Sequence, residues 1–144
     1  MTKRSPALAA VAARAAAAKK GGSTTVLDVA PVLVITDTFV ITSGSNARQV
    51  RTIAEEVEAA VKRAGGDGPR RIEGLDDARW VLLDYGDFVV HVFVEEARAY
   101  YDLERLWADV ARLEWGEDGK AGPGVGAGAA RERAALGSVV GGRR

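Results

Sequence analysis

"RWVLLDYGDFVVHVFVEEARAYYDLERLW", residues 79–107, changes period in the middle, and that change decides the fold. Counting in twos from Phe88 puts Phe88, Val90, Val92 and Val94 on one face of a strand, with Val89, His91 and Phe93 on the other. Both faces are mostly apolar, as in a sheet covered on its two sides. The "DYGD" at 84–87 reads as a tight turn, so 79–94 is an antiparallel hairpin. From Glu95 the period becomes 3.6. Ala99, Tyr100, Leu103, Leu106, Trp107, Val110 and Leu113 then fall within one broad apolar stripe, with Glu95 and Glu96 suiting the N-terminal dipole.

Working outward, "SNARQVRTIAEEVEAAVKRAGG" (45–66) is the clearest helix. Ser45 or Asn46 caps it; Ala47, Val50, Ile53, Ala54, Val57 and Val61 form its buried stripe; Gly65 ends it. "TTVLDVA" (24–30), ended by Pro31, and "DTFVITSG" (37–44) read as strands, as does "RRIEG" (70–74). "ALAAVAARAAAAKK" (7–20) has helical spacing at Leu8, Val11, Ala12, Ala15 and Ala18 and strong alanine propensity. Its small stripe predicts loose docking. The order α-β-β-α-β-β-β-α implies an α/β fold: a single domain with a mixed β-sheet of about five strands covered by helices. The division expected is an N-terminal helix and flexible start over 1–22, a core over 23–115, and a disordered Gly/Ala/Arg-rich tail over 116–144.

With 144 residues and 47% apolar content, the chain suits one domain with a real core. It has no cysteine, which excludes disulfides, thiolate zinc sites and cysteine nucleophiles. No apolar run reaches the roughly 20 residues of a membrane helix. The acid-free start has the composition of a transit peptide, but its own helical period favours structure. The net charge of zero conceals an asymmetry. Residues 1–27 carry five bases and no acid, 116–144 carry five bases and three acids, and 28–115 carry ten bases against seventeen acids. An acidic core disfavours direct phosphate contact and favours a basic protein partner.

His91 is the only histidine, with no second His or Cys to complete a metal site and no partner that marks it as a general base, so it reads as structural. The "TSGSN" turn (42–46) opens a helix after a strand, where phosphates bind, but it lacks the lysine and spacing of a P-loop. Asp84 and Asp87 are imaginable as a carboxylate pair for a metal, yet aspartates are ordinary in such a turn. A nucleotide-binding enzyme built on these groups is therefore the weaker alternative, and no catalytic residue, cofactor or metal is expected. Tyr101 is more informative. A 100° step places it about 160° from Leu103, off the buried stripe, with Glu104 on the flank. An exposed tyrosine beside an acid is a common interface anchor. Trp80, at a strand edge, is open to both packing and interface readings.

"DTFVITSGSNARQV" (37–50), "EG" (73–74), "WVLLDYGDFVVHVF" (80–93) and "EARAYYDLERLW" (96–107) occur in an order and spacing that resembles the ribosomal silencing factor family, also called Iojap-like proteins. The pattern W-x-x-x-D-x-G-D-x-x-V-H is met by Trp80, Asp84, Gly86, Asp87, Val90 and His91. R-x-x-Y-x-L-E-x-L-W is met by Arg98, Tyr101, Leu103, Glu104, Leu106 and Trp107. The likeness runs from about residue 7 to Trp115. It implies a fold related to nucleotidyltransferases without their catalytic carboxylates, and a non-enzymatic, cytoplasmic role. It further implies binding to the fourteenth protein of the large ribosomal subunit, which blocks subunit joining and represses translation when nutrients are short. A role in large-subunit assembly through the same contact is the alternative. By this resemblance Trp80, Asp84, Tyr101 and Glu104 are the expected partner-binding residues, and a homodimer of the free protein is compatible with it. The first helix here lacks the acids usual in the family, and the tail past Trp115 lies outside the shared pattern. Direct RNA contact is not expected except through the tail's arginines, and scattered arginines in a flexible tail more often serve solubility.

Overall fold

The computed structural model describes residues 4–19 and 22–116. The elements are α1 (Arg4–Ala18), β1 (Thr25–Asp28), β2 (Thr38–Gly44), α2 (Ala47–Arg63), β3 (Arg71–Glu73), β4 (Trp80–Asp84), β5 (Phe88–Val94), α3 (Glu95–Tyr101) and α4 (Leu103–Leu106). The strands form one mixed sheet in the order β1-β2-β5-β4-β3, with β2 and β5 parallel and the other pairs antiparallel. The expected α/β architecture is present. The flexible tail expected over 116–144 lies, beyond Gly116, outside the described residues, as do Met1–Lys3. No helix among the described residues is long and apolar enough to cross a membrane.

The hairpin forms where the turn chemistry placed it. The Asp84 carboxylate accepts the backbone N–H of Gly86 at 2.9 Å, and Gly86 has φ +89°, a conformation that favours glycine. Tyr85 stacks on Phe88 beside the turn, and burial together with the Glu58 carboxylate pushes its phenol well above the usual tyrosine range. At the other end of β2, Asn46 caps α2 by accepting the Gln49 N–H at 2.9 Å. The Gln49 amide oxygen reaches back to the Ser45 N–H at 2.7 Å. These reciprocal bonds are why "SGSN" turns cleanly from strand into helix.

The sheet is covered unequally. Val81, Leu83, Val90 and Val92 are fully buried on the face that α1 and α2 pack against. The opposite face carries Phe39, Ile41, His91, Phe93, Trp80 and Leu82, in register across β2, β5 and β4. There α3 lies over β5 and β2, and Trp107 packs edge-on to Phe39 at 5.6 Å. Among the described residues no helix packs extensively on the β4–β3 side of this face, although the Tyr101 ring of α3 reaches Trp80 of β4. The β1 edge is closed by residues after α4, which pair Leu27 with Arg112. The β3 edge is short and charged, which discourages pairing with another sheet.

Two expectations fail here. The first helix does not dock loosely: Ala9, Ala10, Ala12, Ala13, Ala15 and Ala16 are all buried, against α2 and β2. Small side chains gave a weak stripe by volume, but they let the helix approach its neighbours closely. Ala13→Leu should accordingly overpack this contact and lower stability by about 1–2 kcal/mol in a denaturant titration, although leucine is a good helix former. The second failure is the single helix expected from Glu95. The chain breaks at Asp102, which adopts φ 50°, ψ 50°, between α3 and α4. Ala99 and Tyr100, expected on the buried stripe, are exposed, Tyr100 at 80%. The left-handed residue redirects the chain, so the stripe does not continue back through α3.

Candidate interaction site

The half-covered face of the sheet holds a ladder of rings. Trp80 lies 4.8 Å from Phe93 and 4.7 Å from Tyr101 between ring centroids, and Tyr101 meets Tyr100 edge-on at 5.0 Å. The ladder therefore climbs from the sheet to solvent: Phe93 is buried, Trp80 half-buried, Tyr101 42% exposed and Tyr100 80% exposed. Trp80 starts β4 opposite Phe93 of β5, so the hairpin register itself sets the lowest rungs.

His91 anchors this arrangement from below. It is 2% exposed, and its Nδ1 accepts the indole N–H of Trp80 at 3.1 Å. An accepting Nδ1 assigns the neutral tautomer with the proton on Nε2. The histidine is thus structural in a specific sense, because it bonds the Trp80 ring from below.

Asp84 lies on the same face as Trp80 but at the other end of β4, about 13 Å away at ordinary strand rise. Its carboxylate serves the turn and faces Arg71 at 3.4 Å. The structure does not bring it into the ring ladder. Glu104 is engaged within the fold. Its two oxygens accept from Arg98 Nε at 3.1 Å and Arg98 Nη2 at 2.8 Å, and Thr25 Oγ1 donates to it at 2.7 Å. Burial alone would raise its pKa, but the hydrogen bonds from Arg98 and Thr25, with the charges of Arg98 and Arg112, prevail and hold it below the ordinary carboxylate value of 4.5.

A depressed folded pKa means that this carboxylate contributes stability above its unfolded value, and that the contribution is lost as pH falls through the folded one. Glu104→Gln should therefore be about 1.5 kcal/mol less stable than the parent at pH 7. The gap should narrow as pH is lowered below about 4.5, the range set by this depressed group. Chemical denaturation of both proteins from pH 7 to 3 measures it, and a gap that stays constant contradicts the assignment.

Tyr100 is the contributor that sequence periodicity misplaced. The available signal was Asp102, a residue that prefers helix ends to helix interiors, sitting between "YY" and "LERLW". The nucleotide alternative meets a geometric obstacle. "TSGSN" closes the C-terminal end of β2, whereas Asp84 and Asp87 lie where β5 begins, beside the N-terminal end of β2. The seven-residue strand β2 separates them by about 20 Å, so they cannot form one site. Among the described residues no group of three His, Cys, Asp or Glu side chains is placed to hold a metal ion.

The fold and site define a mixed-sheet α/β domain with an aromatic ladder on its half-covered face. A family profile described as "Ribosomal silencing factor during starvation" matches residues 2–135. The Ribosomal silencing factor RsfS of Halalkalibacterium halodurans is 40% identical over 104 residues, spanning 72% of this chain and 88% of that protein. A crystal structure from Chromobacterium violaceum superposes with a TM-score of 0.67 at 34% identity, covering 71% of this chain and 84% of that one. The mouse protein named Mitochondrial assembly of ribosomal large subunit protein 1 is 34% identical over 84 residues, 57% of this chain and 37% of that protein. The chain belongs to the ribosomal silencing factor family.

Proposed function

We propose that this protein binds the large ribosomal subunit through its fourteenth protein, using the Trp80–Tyr101–Tyr100 ladder as the centre of the contact. Occupying that surface blocks joining of the small subunit and represses translation under nutrient limitation. The observation that carries the reading is the exposed pair Tyr100 and Tyr101 at the end of α3, with the Tyr101 ring laid against Trp80 at the start of β4. Large rings with polar tips, presented on a rigid support, are typical interface anchors. The excess of acids over bases in residues 28–115 suits a basic ribosomal protein. Asp84 and Glu73 lie toward the margin of the same face, where charges steer association more than they hold it.

The test is a titration of the full chain against the purified fourteenth protein, followed by a subunit-joining assay in sucrose gradients. Binding should be saturable and should weaken as salt rises from about 50 to 300 mM, because exposed complementary charges are screened over a Debye length of about 10 Å at 0.1 M. The chain should also shift 70S particles toward free subunits. Absence of binding at low salt overturns the reading. A homodimer of the free protein and a cytoplasmic location belong to the same proposal. The mouse relative's name favours a second outcome, assistance in large-subunit assembly through the same contact. Ribosome profiles of a deletion strain separate the two: assembly predicts large-subunit precursors during rapid growth, silencing predicts excess joined ribosomes in starvation.

A further inference from the structure

The residues most tightly held beside the ring ladder are charged, and they sit on both sides of the break at Asp102. Arg98 is on α3 and Glu104 on α4; they pair through two hydrogen bonds, with side chains only 14% and 22% exposed. Arg98 also donates to the Ser23 carbonyl and to Ser43 Oγ, at 3.0 Å, at the end of β2. Thr25 of β1 completes the clasp on Glu104. One ion pair thus ties α3, α4 and the ends of two strands together.

This clasp bears directly on Tyr101. Arg98 and Tyr101 are three residues apart on α3 and so lie on the same side of it. Ala97, also on the sheet side, is fully buried, whereas Ala99 and Tyr100 face solvent. If α3 ran straight into α4, Ala99 and Tyr100 would lie four and three residues before the buried Leu103, on its face. Tyr101 would then point away. The rotation that lays Tyr101 on Trp80 instead goes with a left-handed residue at Asp102, a conformation that aspartate adopts more readily than most residues with a Cβ. The Arg98–Glu104 pair spans that residue and links the side chains of the two helices across the bend.

We propose that Arg98 and Glu104 are positioning residues for partner binding: they hold the bend at Asp102 and so present Tyr101 against Trp80, and they affect the partner only through that ring. The inference rests on the proposed reading of the ladder as the contact surface, and it changes the role of Glu104. Its carboxylate is committed inside the protein and does not serve as a direct contact. Direct recognition and positioning make different predictions when Tyr101 is already gone.

The experiment is a double-mutant cycle with the purified fourteenth large-subunit protein as the probe. Glu104→Gln should weaken binding about tenfold in the parent chain and by no more than about twofold in a Tyr101→Ala background. A loss of similar size in both backgrounds means that Glu104 touches the partner and overturns the proposal. A partner-independent arm uses proton NMR of the full chain. In the parent, the Tyr101 ring signals should be displaced upfield by the Trp80 ring. In Glu104→Gln and in Arg98→Lys, which keeps the charge but loses the fork that grips both oxygens, they should move toward free-tyrosine positions. The Trp107 and Phe39 signals should stay in place, which shows that the core is intact. Tyr101 signals unchanged in both variants overturn the proposal even where binding is weakened. If the parent chain does not bind the probe, the reading of the partner fails, and the NMR arm still decides whether the clasp positions the ring.

Discussion

Trp80→Ala should weaken binding to the fourteenth large-subunit protein by about 2–3 kcal/mol, on the order of 30- to 150-fold, while the chain remains folded. Trp80 is the rung on which the ladder depends. It packs at a tilt against Phe93 below and Tyr101 above, and its indole N–H donates to His91 Nδ1. Truncation removes a large ring at the centre of the contact, leaves Tyr101 without the surface it lies on, and leaves a buried imidazole acceptor without its donor. The last of these also costs stability, about 1–3 kcal/mol for an unmade buried hydrogen bond. Binding must therefore be measured well below the melting temperature, with circular dichroism confirming the fold. Trp80→Phe restores a ring but not the donor, so it should recover part of the affinity. A folded Trp80→Ala chain that binds within twofold of the parent would remove the ladder as the contact surface.

The largest loss of stability should come from the fully buried tryptophan, Trp107. Trp107 is 1% exposed, packs edge-on to Phe39, and fills the space between the sheet and the chain after α4. Trp107→Ala should destabilise by about 4 kcal/mol, from lost burial and the cavity left behind. For a domain of this size that lowers the melting temperature by roughly 15–20 °C, since about 4–5 °C accompanies each kcal/mol. Trp107→Phe should lose far less, about 1–2 kcal/mol: among the described residues the indole N–H has no hydrogen-bond partner, so the change removes volume but breaks no bond. Equal losses for both variants would mean that Trp107 contributes something other than packing. The two tryptophans thus separate by assay. Trp80 should register mainly in binding, Trp107 in stability.

Family membership was legible from the spacing of Trp80, Asp84, Gly86, Asp87 and His91 and of Arg98, Tyr101, Glu104 and Trp107, and the similarity of the chain to its relatives supports the same assignment. The part each of these residues plays was less legible. Tyr101 was picked out because a straight helix would turn it from the core, and it is half-exposed, but for a different reason: α3 is not continuous with α4. The same assumption buried Tyr100, which the structure exposes. Asp84 and Glu104 looked equivalent as acids near the ladder. One is bound to a turn at the far end of its strand, the other to an arginine within the fold.

By itself the sequence determined what depends on near neighbours along the chain. Alternation in 88–94 specified a strand with two covered faces, the apolar stripe of 47–61 specified a helix, and Asp84 with Gly86 specified the turn between β4 and β5. These follow from side-chain direction and backbone preference, which act over a few residues. Only the tertiary structure decided which half of a face stays open, how closely an alanine helix docks, and where the last helix bends. Those outcomes rest on contacts between distant parts of the chain, such as Arg98 with Ser23 and Ser43, or Glu104 with Thr25. The bend at Asp102 is one that aspartate accepts locally, and those distant partners set the angle at which α3 and α4 meet across it.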